Sequence, residues 1–228
     1  MCTVTFLPKN GQDFILTSNR DEDPLRASHQ LSLLEIDGRT VHFPKDPKAG
    51  GTWFATDKSG FTLCVLNGGF EKHKHRPPYR LSRGLMVLDF FRINNVHLFA
   101  QQYNFDGIEP FTLVLIDHSS DQVNLNQLVW DEKELNHKQL NSDEPYIWSS
   151  STLYPQPVRD ERRQWFKEWL EGRNEYRQDD ILAFHQFGGK GDAWNDFVMN
   201  REGKVQTVSV TSLDKKSDAF HFEHLSLV

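Results

Sequence analysis

The sequence predicts an α+β fold in which two antiparallel sheets stack and helices cover their outer faces. Three observations predict it. The first third of the chain is a series of short β-branched and aromatic runs separated by turn signals. Pro157–Leu170 carries an apolar stripe at helical spacing, with Gly172 just beyond its end. After that helix the chain returns to strands, at Val205–Leu213 and Ala219–Leu227. Strands, helices and strands again, without βαβ alternation, suit stacked sheets with helices outside.

The elements follow in order. Cys2–Leu7 is β-branched and aromatic and ends at Pro8, Asn10-Gly11 supplies a turn, and Asp13–Ser18 returns. The two form an antiparallel hairpin with Asn19-Arg20-Asp21-Glu22 at its far end. That geometry brings Arg20 and Asp21 back beside Cys2. Leu31–Ile36 and Thr40–Phe43 pair around Asp37-Gly38, and Thr52–Thr56 and Phe61–Leu66 pair around residues 57–60. Residues 45–51 and 71–79 read as loops. Ser82 can cap a helix through about Phe91, and a shorter one begins at Asn95. Phe111–Asp117 and Leu125–Trp130 read as paired strands, and Asp180–Phe187 as a short helix stopped by Gly188-Gly189. No repeat or linker divides the chain, so residues 1–228 are expected to form one domain.

Composition narrows the function. With 37% hydrophobic and 25% charged residues, the 228-residue chain has the make-up of a globular protein. A net charge of -6 argues against nucleic acid as a partner, because phosphate neutralisation needs a basic face. Arg159, Arg162 and Arg163 cluster, but Asp160 and Glu161 interleave with them, which reads as a solvated helix face. Two cysteines are too few for a secreted disulfide scaffold, and no signal peptide or membrane span is visible, so the cytoplasm is the expected compartment. His73 and His75 alternate with lysines, which opposes a cation and reads as a solvated loop. Gly188-Gly-Lys-Gly191 lacks P-loop spacing. No motif requires a metal or cofactor.

One constellation carries chemistry. A thiol at position 2 becomes the N-terminal residue if Met1 is removed. Its α-amine, with a reference pKa of about 7.7–8.0, can then act as its own general base. Arg20 nearby would favour the thiolate, and Asp21 could orient the amine. Cys64 lies mid-strand, on the face of Thr62 and Leu66, and is expected to be buried and unbonded to Cys2.

These residues carry a resemblance. Met1-Cys-Thr-Val-Thr-Phe6, Leu16-Thr-Ser-Asn-Arg-Asp-Glu22 with Arg26, Gly50-Gly-Thr-Trp53, Gly60, Leu66-Asn67 and Ser82-Arg-Gly-Leu85 resemble the NRDE proteins, the transport-and-Golgi-organization family. That family in turn resembles the cysteine N-terminal-nucleophile hydrolases, such as penicillin V acylase and bile salt hydrolase. The resemblance implies a four-layer αββα sandwich and cleavage of a non-peptide C–N amide bond in a small molecule. It implies Cys2 as nucleophile, Arg20 and Asp21 as supporting charges, and Asn67 as oxyanion donor. Asn19, Trp53 and Ser150 are expected to contact substrate; Ser150 stands where many family members carry Asn. Arg201 is the only suggestion for the hydrolases' late arginine. The alternative the resemblance leaves open is a non-catalytic protein that binds a small molecule, haem or a lipid-linked metabolite. Substrate identity and oligomeric state are not legible.

Overall fold

The computed structural model describes residues 3–58, 60–217 and 219–228. Cys2 therefore lies outside the described residues. The first hairpin forms as its residues dictate, from β1 (Thr3–Pro8) and β2 (Phe14–Glu22), with Thr3 opposite Asn19 and Pro8 opposite Phe14. β2 is longer than expected. Arg20 and Asp21 belong to the strand itself, because β12 (Val205–Lys216) pairs along it as far as Glu22.

Two antiparallel sheets result. The seven-stranded sheet is a meander taken in chain order. It comprises β3 (Leu31–Ile36), β4 (Arg39–Pro44), β5 (Phe54–Asp57), β6 (Phe61–Asn67), β7 (Phe111–Asp117), β8 (Asn124–Trp130) and β9 (Leu135–Leu140). The six-stranded sheet draws on distant parts of the chain. β10 (Tyr146–Ser149) pairs with β1, β1 with β2, and β2 with β12. The far side of β12 is shared by β11 (Asn200–Arg201) and β13 (Ala219–Ser226).

Strand parity assigns each side chain to a layer. Val4, Phe6, Phe14 and Leu16 join the large apolar core with Cys64, Leu66 and Leu213, in the space between the sheets. Leu7 and Ile15 point the other way, into a second core with Phe166, Ile181, Phe184 and Phe197. That second core is covered by α3 (Gln156–Leu170) and α4 (Gln178–Phe187). On the opposite surface α1 (Arg83–Ile93) and α2 (Val96–Gln102) cover the seven-stranded sheet, with Phe90 packed edge-on against Phe61 and Phe99. The layers are helix, sheet, sheet, helix. Ser82 and Asn95 cap α1 and α2 as their sequence positions predict, accepting from Leu85 N–H and Leu98 N–H.

Two expectations about charged residues need correction. Arg162 does not sit on a solvated face; it is 0% exposed. Its guanidinium stacks 3.7 Å from the Tyr154 ring centre and donates to the Asn195 and Asp196 carbonyls and to Thr3 Oγ1. Arg163 is exposed, while Arg159 is half-buried and donates to the Phe70 carbonyl at 3.2 Å. The 71–79 loop is not simply solvated either. His73 and His75 both hydrogen-bond Glu109 Oε1 at 2.9 Å, and His73 is largely buried. Among the described residues no group of three or more His, Cys, Asp or Glu side chains is arranged to hold a metal. Among them, too, no helix is long and apolar enough to cross a membrane.

Candidate active site

The alternation of β2 splits its last residues between two faces. Ser18 and Arg20 share the side of Phe14 and Leu16, toward the other sheet. Asn19 and Asp21 share the side of Ile15, toward α3 and α4. This split decides what each predicted residue can do.

Arg20 is buried, with its guanidinium carbon 4.0 Å from the centre of the Trp53 ring. Its Nη2 meets Asp46 Oδ2 at 2.6 Å, and its Nη1 donates to the Arg26 carbonyl. Asp46 is itself fixed, because Oδ1 accepts from the Lys48 and Ala49 amides, each at 2.9 Å. Arg26 completes the group, with Nη2 on Asp46 Oδ2 at 2.6 Å and Nη1 on Glu22 Oε2 at 2.8 Å. Burial alone would raise the Asp46 pKa. The Ala49 amide and the two arginines outweigh it and hold the carboxyl below its ordinary range. Burial lowers the Arg20 pKa, with Asp46 and Glu22 partly opposing.

These side chains line a cavity of about 110 Å³, together with Trp53, Asn67, Ser82 and Arg83. Two backbone devices bring its walls together. Gly51 and Gly84 meet face to face, with the Thr52 amide donating to the Gly84 carbonyl at 3.1 Å; a methyl group at Gly84 would lie 2.8 Å from Thr52 backbone atoms. At the end of β6, Gly68 turns at φ 90°, and a side chain there would strike Ser151 and Thr152. Asn67 is thereby held at the cavity, and its carbonyl accepts from Ser150 Oγ at 2.7 Å.

Of the predicted site residues, the structure thus brings Arg20, Trp53 and Asn67 to one cavity. Ser150 touches Asn67 from behind. Asp21 and Asn19 lie on the other side of the sheet. Asp21 accepts from Tyr154 Oη at 2.8 Å and from Thr207 Oγ1 at 2.6 Å. The Asn19 amide donates to the His185 and Phe197 carbonyls, each at 2.9 Å, and its Oδ1 bonds His185 Nδ1. Asn19 is 0% exposed, so it ties β2 to α4 and does not reach the cavity. Arg201 donates to the Leu153 and Trp194 carbonyls, with its guanidinium 5.4 Å from the Tyr154 ring centre. Cys64 is a free, buried thiol pushed up to about 12 by burial.

Sequence reasoning missed Asp46 and Arg162. Asp46 sits in Lys45-Asp-Pro-Lys48, where an Asp accepting from the next amides is an ordinary turn device. Arg162 was legible from spacing, since Trp165, Phe166 and Trp169 follow at i+3, i+4 and i+7 on the apolar stripe.

Solved structures share this architecture. The N-acylethanolamine-hydrolyzing acid amidase ortholog of Caenorhabditis elegans matches with a TM-score of 0.70 and 11% identity, over 100% of both chains. A mutant of the conjugated bile acid hydrolase of Clostridium perfringens matches with a TM-score of 0.55 and 10% identity, over 100% of this chain and 92% of the other. At such identities the likeness shows the fold, that of the N-terminal-nucleophile hydrolases. No curated protein matches in sequence. The family model described as Transport and Golgi organisation 2 matches residues 1–209, and the chain belongs to that family.

Proposed function

We propose that the protein hydrolyses a C–N amide bond of a small molecule, with Cys2 as nucleophile after removal of Met1. One observation carries this reading. β1 is paired on both sides, Thr3 with Asn19 of β2 and with Ser149 of β10. The next residues along those two strands are Arg20 and Ser150, and Cys2 is the next along the sequence of β1. Position 2 also has the parity of Val4 and Phe6, as Arg20 has the parity of Phe14 and Leu16. The names of the two structural neighbours, an amidase and a hydrolase, support the reaction class.

The chemistry is as follows. The α-amine takes the thiol proton, and the thiolate attacks the amide carbonyl carbon. A C–S bond forms, and Asn67 donates to the oxyanion. The tetrahedral adduct collapses, the C–N bond breaks, and the amine leaves with the proton from the α-ammonium. Water, deprotonated by the α-amine, then cleaves the thioester to a carboxylic acid and restores the thiol. Arg20 favours thiolate, its charge held in place by Asp46. Asp21, fixed by Tyr154 and Thr207, acts from the opposite face of the sheet. Trp53 walls the cavity. No step calls for a cofactor.

The test begins with intact mass, which reports whether Met1 is removed. At pH 7 iodoacetamide is expected to modify one thiol per folded chain, since Cys64 is buried. In a screen of N-acyl amides, Cys2→Ala is expected to cut turnover by roughly a thousandfold or more while leaving ligand affinity within a few-fold. Turnover that survives Cys2→Ala ends the nucleophile assignment. Ligand binding without turnover of any amide would favour the non-catalytic binder.

A further inference from the structure

The seven-stranded sheet ends in two edges of opposite character. β9, at one end, carries Asn136, His137, Lys138 and Gln139, the polar and charged coating that keeps an open edge from pairing with another chain. β3, at the other, reads Leu-Ser-Leu-Leu-Glu-Ile and has no lysine or proline. Among the described residues it pairs only with β4. Leu33 is 64% exposed and Leu34 39%. The two point to opposite faces, so both faces of this edge are apolar.

The backbone supplies an independent observation. Asp37-Gly38 is a two-residue turn with both φ positive, which closes on Ile36 and Arg39 as a hydrogen-bonded pair. Hydrogen-bonded and open pairs then alternate along the hairpin. Leu31 falls in an open pair with Pro44, which has no N–H to give. Leu31, Leu33 and Glu35 therefore turn their N–H and C=O groups away from β4, toward the free edge. Leu34 is exposed for a different reason. It shares the core parity of its partner Val41, but β13, at the edge of the six-stranded sheet, packs beneath β5, with the Phe222 and Phe54 ring centres 5.3 Å apart. β3 lies two strands farther out and overhangs it.

We propose that β3 pairs with β3 of a second copy of this chain, antiparallel about a two-fold axis at Leu33, to form a dimer with one continuous sheet. The strand is complementary to itself in that register. Leu33 meets Leu33, Leu31 meets Glu35, and the outward backbone groups of all three residues are paired. Ser32 and Leu34 meet on the overhanging face. The acidic turn end of each copy, Glu35 and Asp37, lies toward the exposed His29 of the other. An axis at Glu35 would set two carboxylates side by side, and an axis at Leu31 would run the pairing into the bend at Gln30. One strand a side is a small interface, below about 1,200 Å² in total, so the dimer is a reversible one, with a dissociation constant on the order of 10–100 µM.

Sedimentation velocity on the full chain, from about 1 to about 300 µM, is expected to pass from the mass of one chain to that of two. Leu33→Lys sets two ammonium groups beside each other across the axis. It is expected to weaken the dimer about tenfold, with an unchanged melting temperature because the side chain is exposed. Leu31→Lys sets a lysine against Glu35 of the other copy, twice, and is expected to tighten the dimer several-fold, a gain that disappears at high salt. The same substitution two residues apart thus acts with opposite sign, which neither misfolding nor a general change in surface charge would mimic. A chain that stays single over the whole range, which would leave β3 to a different partner, overturns the proposal. So does a dimer that withstands Leu33→Lys, or one that Leu31→Lys fails to tighten.

Discussion

Arg162 shows how much a single buried side chain can organise. Among the described residues it has no carboxylate as a hydrogen-bond partner; two carbonyls, a hydroxyl and an aromatic face take its charge. Through Thr3 it steadies the start of β1, and through the Tyr154 ring it adjoins the residue that bonds Asp21. Arg162→Met would leave the Asn195 and Asp196 carbonyls without these donors at a cost of about 3 kcal/mol or more, and Arg162→Lys would not restore the planar set of bonds. Urea unfolding of both variants checks this; a loss below about 1 kcal/mol in each would contradict it. At this scale the sequence was partly readable. Cys64 is buried mid-strand as its position suggests, but Trp53 falls just before β5 rather than within a strand over Thr52–Thr56, Arg20 lies within β2 rather than beyond it, and the partners that define all three do not show in one dimension. Asp46 is 26 residues from Arg20, and Ser150 is 83 from Asn67.

Elements were legible in proportion to how local their causes are. α1 and α2 start at their capping residues, and Phe111–Asp117 forms the strand its sequence suggests. β9 and β10 went unread. β9 is a polar edge strand that pairs only with β8, and β10 exists because β1 lies beside it. The same cause lengthened β2, whose last turns of chain are held by β12 across a bulge between Thr207 and Ser209. The docking of α1 on residues 51–52 supplies a prediction. Gly84→Ala puts a methyl group against the Thr52 backbone, which cannot yield as a side chain would. It is expected to cost about 1–3 kcal/mol and to widen the cavity mouth. Thermal unfolding would register it, and an unchanged melting temperature would show the contact to be slack.

Across the whole molecule, buried imidazoles set the response to acid. His185 is fully buried between Thr5 and Asn19, and burial, with Arg162 nearby, pushes its pKa down to about 3. Burial likewise lowers His118 to about 4. Both folded values lie below the unfolded one of about 6.5. Their stabilising contribution is therefore present above pH 6.5 and is lost as pH falls toward the folded values. Urea stability should be level near pH 7 and decline below about 6.5, by up to about 1.4 kcal/mol per pH unit for each histidine. His185→Gln should lower stability at pH 7 yet flatten the slope; an unaltered slope would mean another group governs it.

The two sheets also differ in when they can exist. The seven-stranded sheet is complete once Leu140 has been synthesised, each strand beside its predecessor. The six-stranded sheet cannot close then, because β2 waits for β12, nearly two hundred residues later. The first hairpin precedes every strand it joins, and its β2 edge is paired only when β12 follows. Until then the edge of β2 is unpaired, and the face carrying Leu7 and Ile15 stays open until α3 and α4 follow to cover it, while Val4, Phe6, Phe14 and Leu16 can already rest on the finished sheet.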